Sequence, residues 1–226
     1  VPVVLLIRHG RTSSNASGVL AGRTPGIEMD ETGVEQVRRL AERVRAVPLS
    51  RVVSSPLERC VQTARQLGEI DMLDERLQEC DYGDWTGRSL SELRRLKLWK
   101  VVQEHPSGAI FPGGESLREM QARAVAAVRE HDARVLEEAG PTAVWAAISH
   151  GDIIKSVVAD ALGMHLDQFQ RVVADPASVT AISYTERRPF VLRLNDTGHD
   201  LAPLAPKRRA RRRPPTSDAM VGGGAG

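Results

Sequence analysis

Two apolar runs in this chain end in the same way. Val3-Val4-Leu5-Leu6-Ile7 leads into Arg8-His9-Gly10, and Ala143-Val144-Trp145-Ala146-Ala147-Ile148 leads into Ser149-His150-Gly151. Both runs have the form of buried strands. In an open α/β sheet, ligands bind in the crevice beyond the carboxyl ends of parallel strands, so the pattern predicts two imidazoles delivered to one crevice. A single histidine is more commonly a packed or surface residue; the repeated strand-His-Gly context is what points to chemistry. Gly10 is expected to leave room for a ligand oxygen to approach the backbone.

Helix starts recur with one grammar. Thr32-Gly33-Val34-Glu35, Ser55-Pro56-Leu57-Glu58, Ser89-Leu90-Ser91-Glu92 and Ser116-Leu117-Arg118-Glu119 match the capping box, in which hydroxyl and glutamate satisfy exposed backbone amides. After the first, Val34, Val37, Leu40, Ala41 and Val44 fall on one stripe, the spacing of a helix that covers a sheet. Strands are expected over residues 3–7, 51–54, 143–148, 179–184 and 190–194, between these helices. This alternation predicts a three-layer α/β/α fold, with a mostly parallel central sheet flanked by helices and a final antiparallel pair. Residues 79–114, with Trp85, Trp99, Pro106 and Pro112, fit the alternation least and are expected to form a lid-like insertion over the site.

No run approaches the roughly 18 consecutive apolar residues of a membrane span, and the first 25 residues lack a signal-peptide layout. A cytoplasmic location without membrane partners is expected. Cys60 and Cys80 form no CxxC pair and are expected to be reduced thiols, while the six histidines show no HExxH spacing. Neither a metal nor a cofactor is implied. From Leu201 onward there are six Lys/Arg against one acid, a net +5 that leaves residues 1–200 at −3. Residues 1–200 are therefore expected to form one domain. Residues 201–226, with Lys207-Arg208-Arg209-Ala210-Arg211-Arg212-Arg213 and little apolar content, are expected to be a disordered basic tail, for which nucleic acid is an unlikely partner.

The segment Ser54-Ser55-Pro56-Leu57-Glu58-Arg59 carries a further signal. Ser55 is expected to cap a helix, with Pro56 at its first position and Arg59 one turn inside. A guanidinium near the positive end of a helix dipole is unfavourable unless an anion is also present. Together with Arg8 it has the form of a phosphate clamp.

Arg8-His9-Gly10-Arg11-Thr12 with Asn15, the Ser54–Arg59 block with Thr63-Ala64, Leu77-Gln78-Glu79 with Tyr82-Gly83 and Trp85-Thr86-Gly87, and Ser149-His150-Gly151 together resemble the histidine phosphatase superfamily, the phosphoglycerate mutase-like clan. The resemblance implies that His9 is the nucleophile that becomes a phosphohistidine. It implies that Arg8, Arg59 and His150 hold the transferring phosphoryl group with help from Asn15, and that Glu79 is the acid/base residue. Phosphoryl transfer depends on positioned cations, and planar guanidinium forks suit phosphate oxygens. The two arginines should keep His9 neutral, while His150, facing a phosphate dianion, is expected to carry a proton. The segment 18–26, with Gly22 and Arg23, is expected at the pocket rim, where Gly22 contacts the substrate.

The family contains phosphatases and mutases. In mutases that resemble this chain, a lysine and a consecutive arginine pair follow the acid/base glutamate; here the same distances reach Ser91 and Ser107-Gly108. Phe111-Pro112-Gly113-Gly114-Glu115-Ser116 looks like the phosphatase branch, so hydrolysis of a small phosphorylated metabolite is expected. Phosphomutase activity is the alternative, with Arg94, Arg95, Lys97 and Lys100 as substitute cations. A third reading is a non-catalytic binding module whose tail contacts nucleic acid. Family members are often dimers or tetramers, so a homodimer or homotetramer is expected.

Overall fold

A computed structural model describes residues 1–198. The basic tail and the domain boundary expected at residue 200 lie outside the described residues. In chain order the elements are β1 (Val3–Arg8), α1 (Ser13–Ser17), α2 (Glu31–Val44), β2 (Leu49–Ser54), α3 (Glu58–Arg65), β3 (Met72–Leu73), α4 (Leu90–Leu93), α5 (Lys97–Glu104), α6 (Leu117–Ala139), β4 (Val144–Ser149), α7 (Gly151–Ala161), β5 (Val179–Tyr184) and β6 (Pro189–Asp196). Short 3-10 turns, including Glu75–Leu77 and Pro106–Gly108, link them.

The six strands lie in the order β3-β2-β4-β1-β5-β6. β3, β2, β4 and β1 pair in parallel, whereas β5 is antiparallel to both β1 and β6. Alternation along the strands divides the core into two layers. Val4, Leu6, Trp145 and Ala147 face a cluster that includes Met120, Ala124 and Val128 of α6 and Ile153, Ile154 and Val157 of α7. Ile7, Ala146 and Ile148 face Val37, Leu40 and Val44 of α2 and Cys60 and Ala64 of α3. The expected three-layer α/β/α sandwich with a mostly parallel sheet is therefore present. Among the described residues no helix is long and apolar enough to cross a membrane.

The residues expected to form a lid share the larger core. Trp85 stacks on Trp99 with centroids 6.2 Å apart, and Phe111 meets both Trp85 and Tyr82 edge-on. The two ends of the insertion close on each other through Asp84 N donating to Pro112 O (2.8 Å) and Glu115 N donating to Asp81 O (2.9 Å). Gly83 is required there: its φ is +49°, and a Cβ would lie 2.1 Å from Pro112 O.

Two helix starts differ from expectation. α2 begins at Glu31 because Asp30, not Thr32, caps it, with its carboxylate accepting from Gly33 N at 2.8 Å. Val34 is then half exposed, and the buried face is Gly33, Val37, Leu40 and Val44. α3 begins at Glu58 with Leu57 as an N-cap that has no side-chain bond, so Arg59 stands in the first turn. Ser89 caps α4, and Ser116 forms the complete capping box of α6, both as expected.

Candidate active site

β1 and β4 are neighbours in parallel register, with Arg8 opposite Ser149, so their carboxyl ends release His9 and His150 side by side. The two rings meet edge-on at 5.2 Å between centroids. His9 N donates to Ser149 O at 3.1 Å, which ties the two strand exits together. Arg8, His9, Arg59, Glu79 and His150 are each 4% exposed or less. Burying so much ionisable chemistry is costly unless each group is partnered or has a task.

The ring of His9 is held at both nitrogens. Its Nδ1 lies 2.7 Å from Gly10 O, which can only accept, so Nδ1 carries the proton. Arg59 Nε, which can only donate, lies 3.3 Å from His9 Nε2, which therefore presents its lone pair. Burial, then Arg59 and Arg8, hold the His9 pKa well below the usual imidazole value. The imidazole is neutral, in the tautomer with Nε2 available to attack.

Arg59 is the hub of the site. Its Nη2 donates to Gly22 O (2.7 Å) and approaches His150 Nδ1 (3.2 Å), while Nη1 is buried with no hydrogen-bond partner among the described residues. An unpartnered guanidinium N–H at a buried site marks a place for an anion oxygen. Gly22, expected to touch substrate, has its carbonyl bonded to Arg59. Its φ of +51° and the packing of Thr86 and Tyr82 leave no space for a Cβ. Arg8 is anchored by Nη1 donating to Ala174 O at 2.8 Å, and burial lowers its pKa.

His150 Nε2 lies 2.8 Å from Ser55 Oγ, and its Nδ1 faces the Arg59 donor. Ser55 thus serves His150 while also accepting a long bond from Leu57 N at 3.4 Å, and the contact with His150 is a use that spacing within residues 54–59 could not reveal. Burial first, then Arg59, His9 and Arg8, push the His150 pKa well below normal. These surroundings favour the neutral ring, and the proton expected on His150 requires the countercharge of a bound phosphate dianion.

Glu79 stands on the loop after the turn Glu75–Leu77, and its Oε1 accepts from Cys80 N at 3.0 Å. Burial first, and then buried Asp152, raise its pKa to about 7, against the opposing pull of the Cys80 amide, Arg59 and Arg8. Asp152 was not anticipated from the sequence. It follows His150-Gly151 in the first turn of α7, accepts from Tyr82 Oη (2.8 Å) and from Lys155 Nζ (3.1 Å), and is fully buried. A charged pair three residues apart within the apolar run 151–161 was the available signal.

Asn15 stands apart from this cluster of contacts. Its Oδ1 accepts from Thr12 N (3.0 Å) and Thr12 Oγ1 (2.9 Å), closing the capping box of α1. The amide nitrogen is the remaining donor, of the right polarity for a phosphate oxygen. Gly10 also has a different role from the expected one. A Cβ there would lie 2.7 Å from Gly33 O and 2.8 Å from Val37, so the glycine admits α2 rather than a ligand. Cys60 and Cys80 are buried free thiols whose pKa values burial raises, that of Cys60 to about 12. Among the described residues no group of three or more His, Cys, Asp or Glu is placed to hold a metal ion.

The sequence profile of the histidine phosphatase superfamily (branch 1) matches residues 4–197. Phosphoserine phosphatase 1 of Hydrogenobacter thermophilus is 29% identical over 205 residues, which cover 87% of this chain and 93% of that protein. A protein of Enterobacter sp. (strain 638) named probable phosphoglycerate mutase GpmB is 30% identical over 190 residues, 81% of this chain and 85% of that protein. Among solved structures, mycobacterial glucosyl-3-phosphoglycerate phosphatase aligns with a TM-score of 0.78 and 26% identity, covering 86% of this chain and 99% of that one.

Proposed function

The chain belongs to branch 1 of the histidine phosphatase superfamily, and we propose that it is a phosphomonoester phosphatase whose reaction passes through a phosphohistidine on His9. The observation that carries this reading is the pairing of a neutral His9, its Nε2 lone pair facing Arg59 Nε, with a buried carboxyl poised near neutrality. Nucleophile and acid are thereby both in the required protonation state at the same pH.

In the first step His9 Nε2 attacks phosphorus as the bond from phosphorus to the leaving oxygen breaks. The protonated carboxyl of Glu79 delivers its proton to that oxygen. Nδ1–H stays on Gly10 O, so the positive phosphoimidazolium is stabilised where it forms. Arg8, Arg59 Nη1 and His150 face the equatorial oxygens, with Asn15 assisting, and bear the charge of a loose transition state. In the second step Glu79, now a carboxylate, takes a proton from water. The oxygen bonds to phosphorus, the N–P electron pair returns to Nε2, and phosphate leaves. Charge neutralisation is assigned to guanidinium groups throughout.

Hydrolysis is favoured over mutase activity by the insertion. The positions where related mutases carry cations are exposed Ser91 and the turn Pro106–Gly108. The substitute cations are engaged elsewhere or exposed: Arg94 lies over the Trp99 ring, Lys100 pairs with Glu104, and Arg95 and Lys97 face solvent. The relative named as a mutase keeps phosphoglycerate isomerisation as the second reading. Since none of the expected catalytic residues is replaced, a non-catalytic binding module has no support. A small phosphorylated metabolite in the cytoplasm is the substrate setting this reading implies. The test is to incubate the full chain with a panel of phosphorylated metabolites while following free phosphate and isomerised product together. Phosphate release is expected; isomer formation without phosphate would establish the mutase instead.

A further inference from the structure

Among the described residues Glu79 has one side-chain hydrogen bond, from Cys80 N, so the direction of its carboxyl is set chiefly by its main chain. That main chain is gripped from two sides. Arg123 of α6 donates from Nη1 to Arg76 O (2.7 Å) and Gln78 O (2.8 Å), and from Nη2 to Glu79 O (3.1 Å). Arg23, from the rim segment, donates from Nε to the same Glu79 carbonyl at 2.9 Å. Glu115 lies between the two arginines: Oε1 accepts from Arg23 Nη2 (2.9 Å), from Arg123 Nη2 (2.5 Å) and from Asp81 N (2.9 Å), and Oε2 from Arg123 Nε (2.9 Å). A planar fork with fixed donor directions converts these bonds into an orientation, which a lysine could not do.

The same rim segment also sets the phosphate site. Gly22 O accepts from Arg59 Nη2, and the next residue, Arg23, holds Glu79 O. One dipeptide therefore spans from the phosphate-binding guanidinium to the loop that carries the acid.

We propose that Arg23, Arg123 and Glu115 form a clamp on the Glu79 main chain that fixes the acid relative to the phosphoryl group, making them positioning residues for substrates with poor leaving groups. The proposal rests on Glu79 as the acid and deepens that reading. An alkoxide leaving group requires a delivered proton, whereas p-nitrophenolate departs without one. Misplacing the donor by an ångström therefore costs turnover of one class of substrate and spares the other.

The test compares β-glycerophosphate with p-nitrophenyl phosphate for Arg123→Met, Glu79→Gln and the double variant in the full chain. Arg123→Met is expected to lower kcat on β-glycerophosphate about tenfold to hundredfold, and on p-nitrophenyl phosphate less than about threefold. In the Glu79→Gln background it is expected to cost less than about twofold more on either substrate, the non-additivity of two residues acting as one. Arg23→Met, at a third-exposed side chain, carries the same comparison should Arg123→Met fail to fold. Equal losses on both substrates, no loss on either, or a further loss in the Glu79→Gln background would overturn the clamp. A Glu79→Gln variant that treats both substrates alike would instead remove the acid assignment on which the clamp rests.

Discussion

Arg59 donates from Nε to Nε2 of His9 at 3.3 Å, so the group proposed to bind the phosphate also holds the lone pair that attacks it. A second bond, from His9 Nδ1 to Gly10 O, leaves one tautomer compatible with both contacts. When a phosphoryl group enters, Arg59 exchanges a weak bond to nitrogen for strong ones to charged oxygen. Phosphate binding and release of the nucleophile are then one event.

His9→Ala removes the only nucleophile in this scheme. It is expected to abolish phosphate release and the acid-labile phosphoenzyme seen after rapid quenching with labelled substrate, while substrate binding persists through Arg8 and Arg59. Near-normal turnover by His9→Ala would refute the phosphohistidine route.

The pH dependence of kcat/KM follows from the two shifted groups. His9 is held well below its usual pKa by burial and the arginines, so it stays neutral and active down to acid pH. Glu79 must be protonated for leaving-group departure and has a pKa raised to about 7 by burial and Asp152, so the rate falls as pH rises through that value. The second ionisation of the substrate phosphate, about 6, lies on the acid side and leaves the alkaline limb to Glu79. For an alkyl phosphate, kcat/KM is expected to decline above about pH 7 and Glu79→Gln to remove the decline. An alkaline limb that persists in Glu79→Gln would belong to another group.

The blocks that meet in the candidate site were legible because each is short and sits at a strand exit or a loop fixed by it. His9 and His150 could be placed together from two apolar runs alone. What could not be read depends on partners far away in sequence. Ser55 has the local pattern of a cap, yet its hydroxyl belongs to His150, 95 positions on. Thr32 has the pattern of a capping box, but Asp30 two residues earlier offers a carboxylate that takes the Gly33 amide and starts the helix sooner. β3 has only two residues and both are exposed, so no periodicity announces it. The clamp on Glu79 joins residues 23, 79, 115 and 123, which no local motif connects.

Gly10 illustrates a residue correctly singled out for the wrong reason. Its missing side chain makes room for α2, whose Gly33 O and Val37 would lie 2.7 and 2.8 Å from a Cβ. Gly33 is equally constrained, with a Cβ 2.0 Å from Arg11 O, so neither side can give way. Gly10→Ala is expected to destabilise the protein by about 1–3 kcal/mol through overpacking, measured as a lower urea midpoint at unchanged m-value. Unaltered stability with impaired phosphate binding would restore the ligand-access role.

Acid stability is expected to hinge on Asp74, which is 8% exposed beneath α6. Burial alone would raise its pKa, but hydrogen bonds from Arg76 and from His131 Nε2 at 2.9 Å bring it down to about 2. Its folded-state pKa lies below the unfolded value near 3.8, so the ionised carboxylate stabilises the fold above that pH. The contribution disappears as pH falls toward 2. The linkage amounts to about 2 kcal/mol. Unfolding free energy is expected to drop by that amount between about pH 5 and pH 2, in addition to losses at other carboxylates. In Asp74→Asn the drop should be smaller by the same amount, from a lower starting stability, because Arg76 and His131 lose their charged partner. An acid dependence in Asp74→Asn as steep as in the parent chain would place the sensitive carboxylate elsewhere.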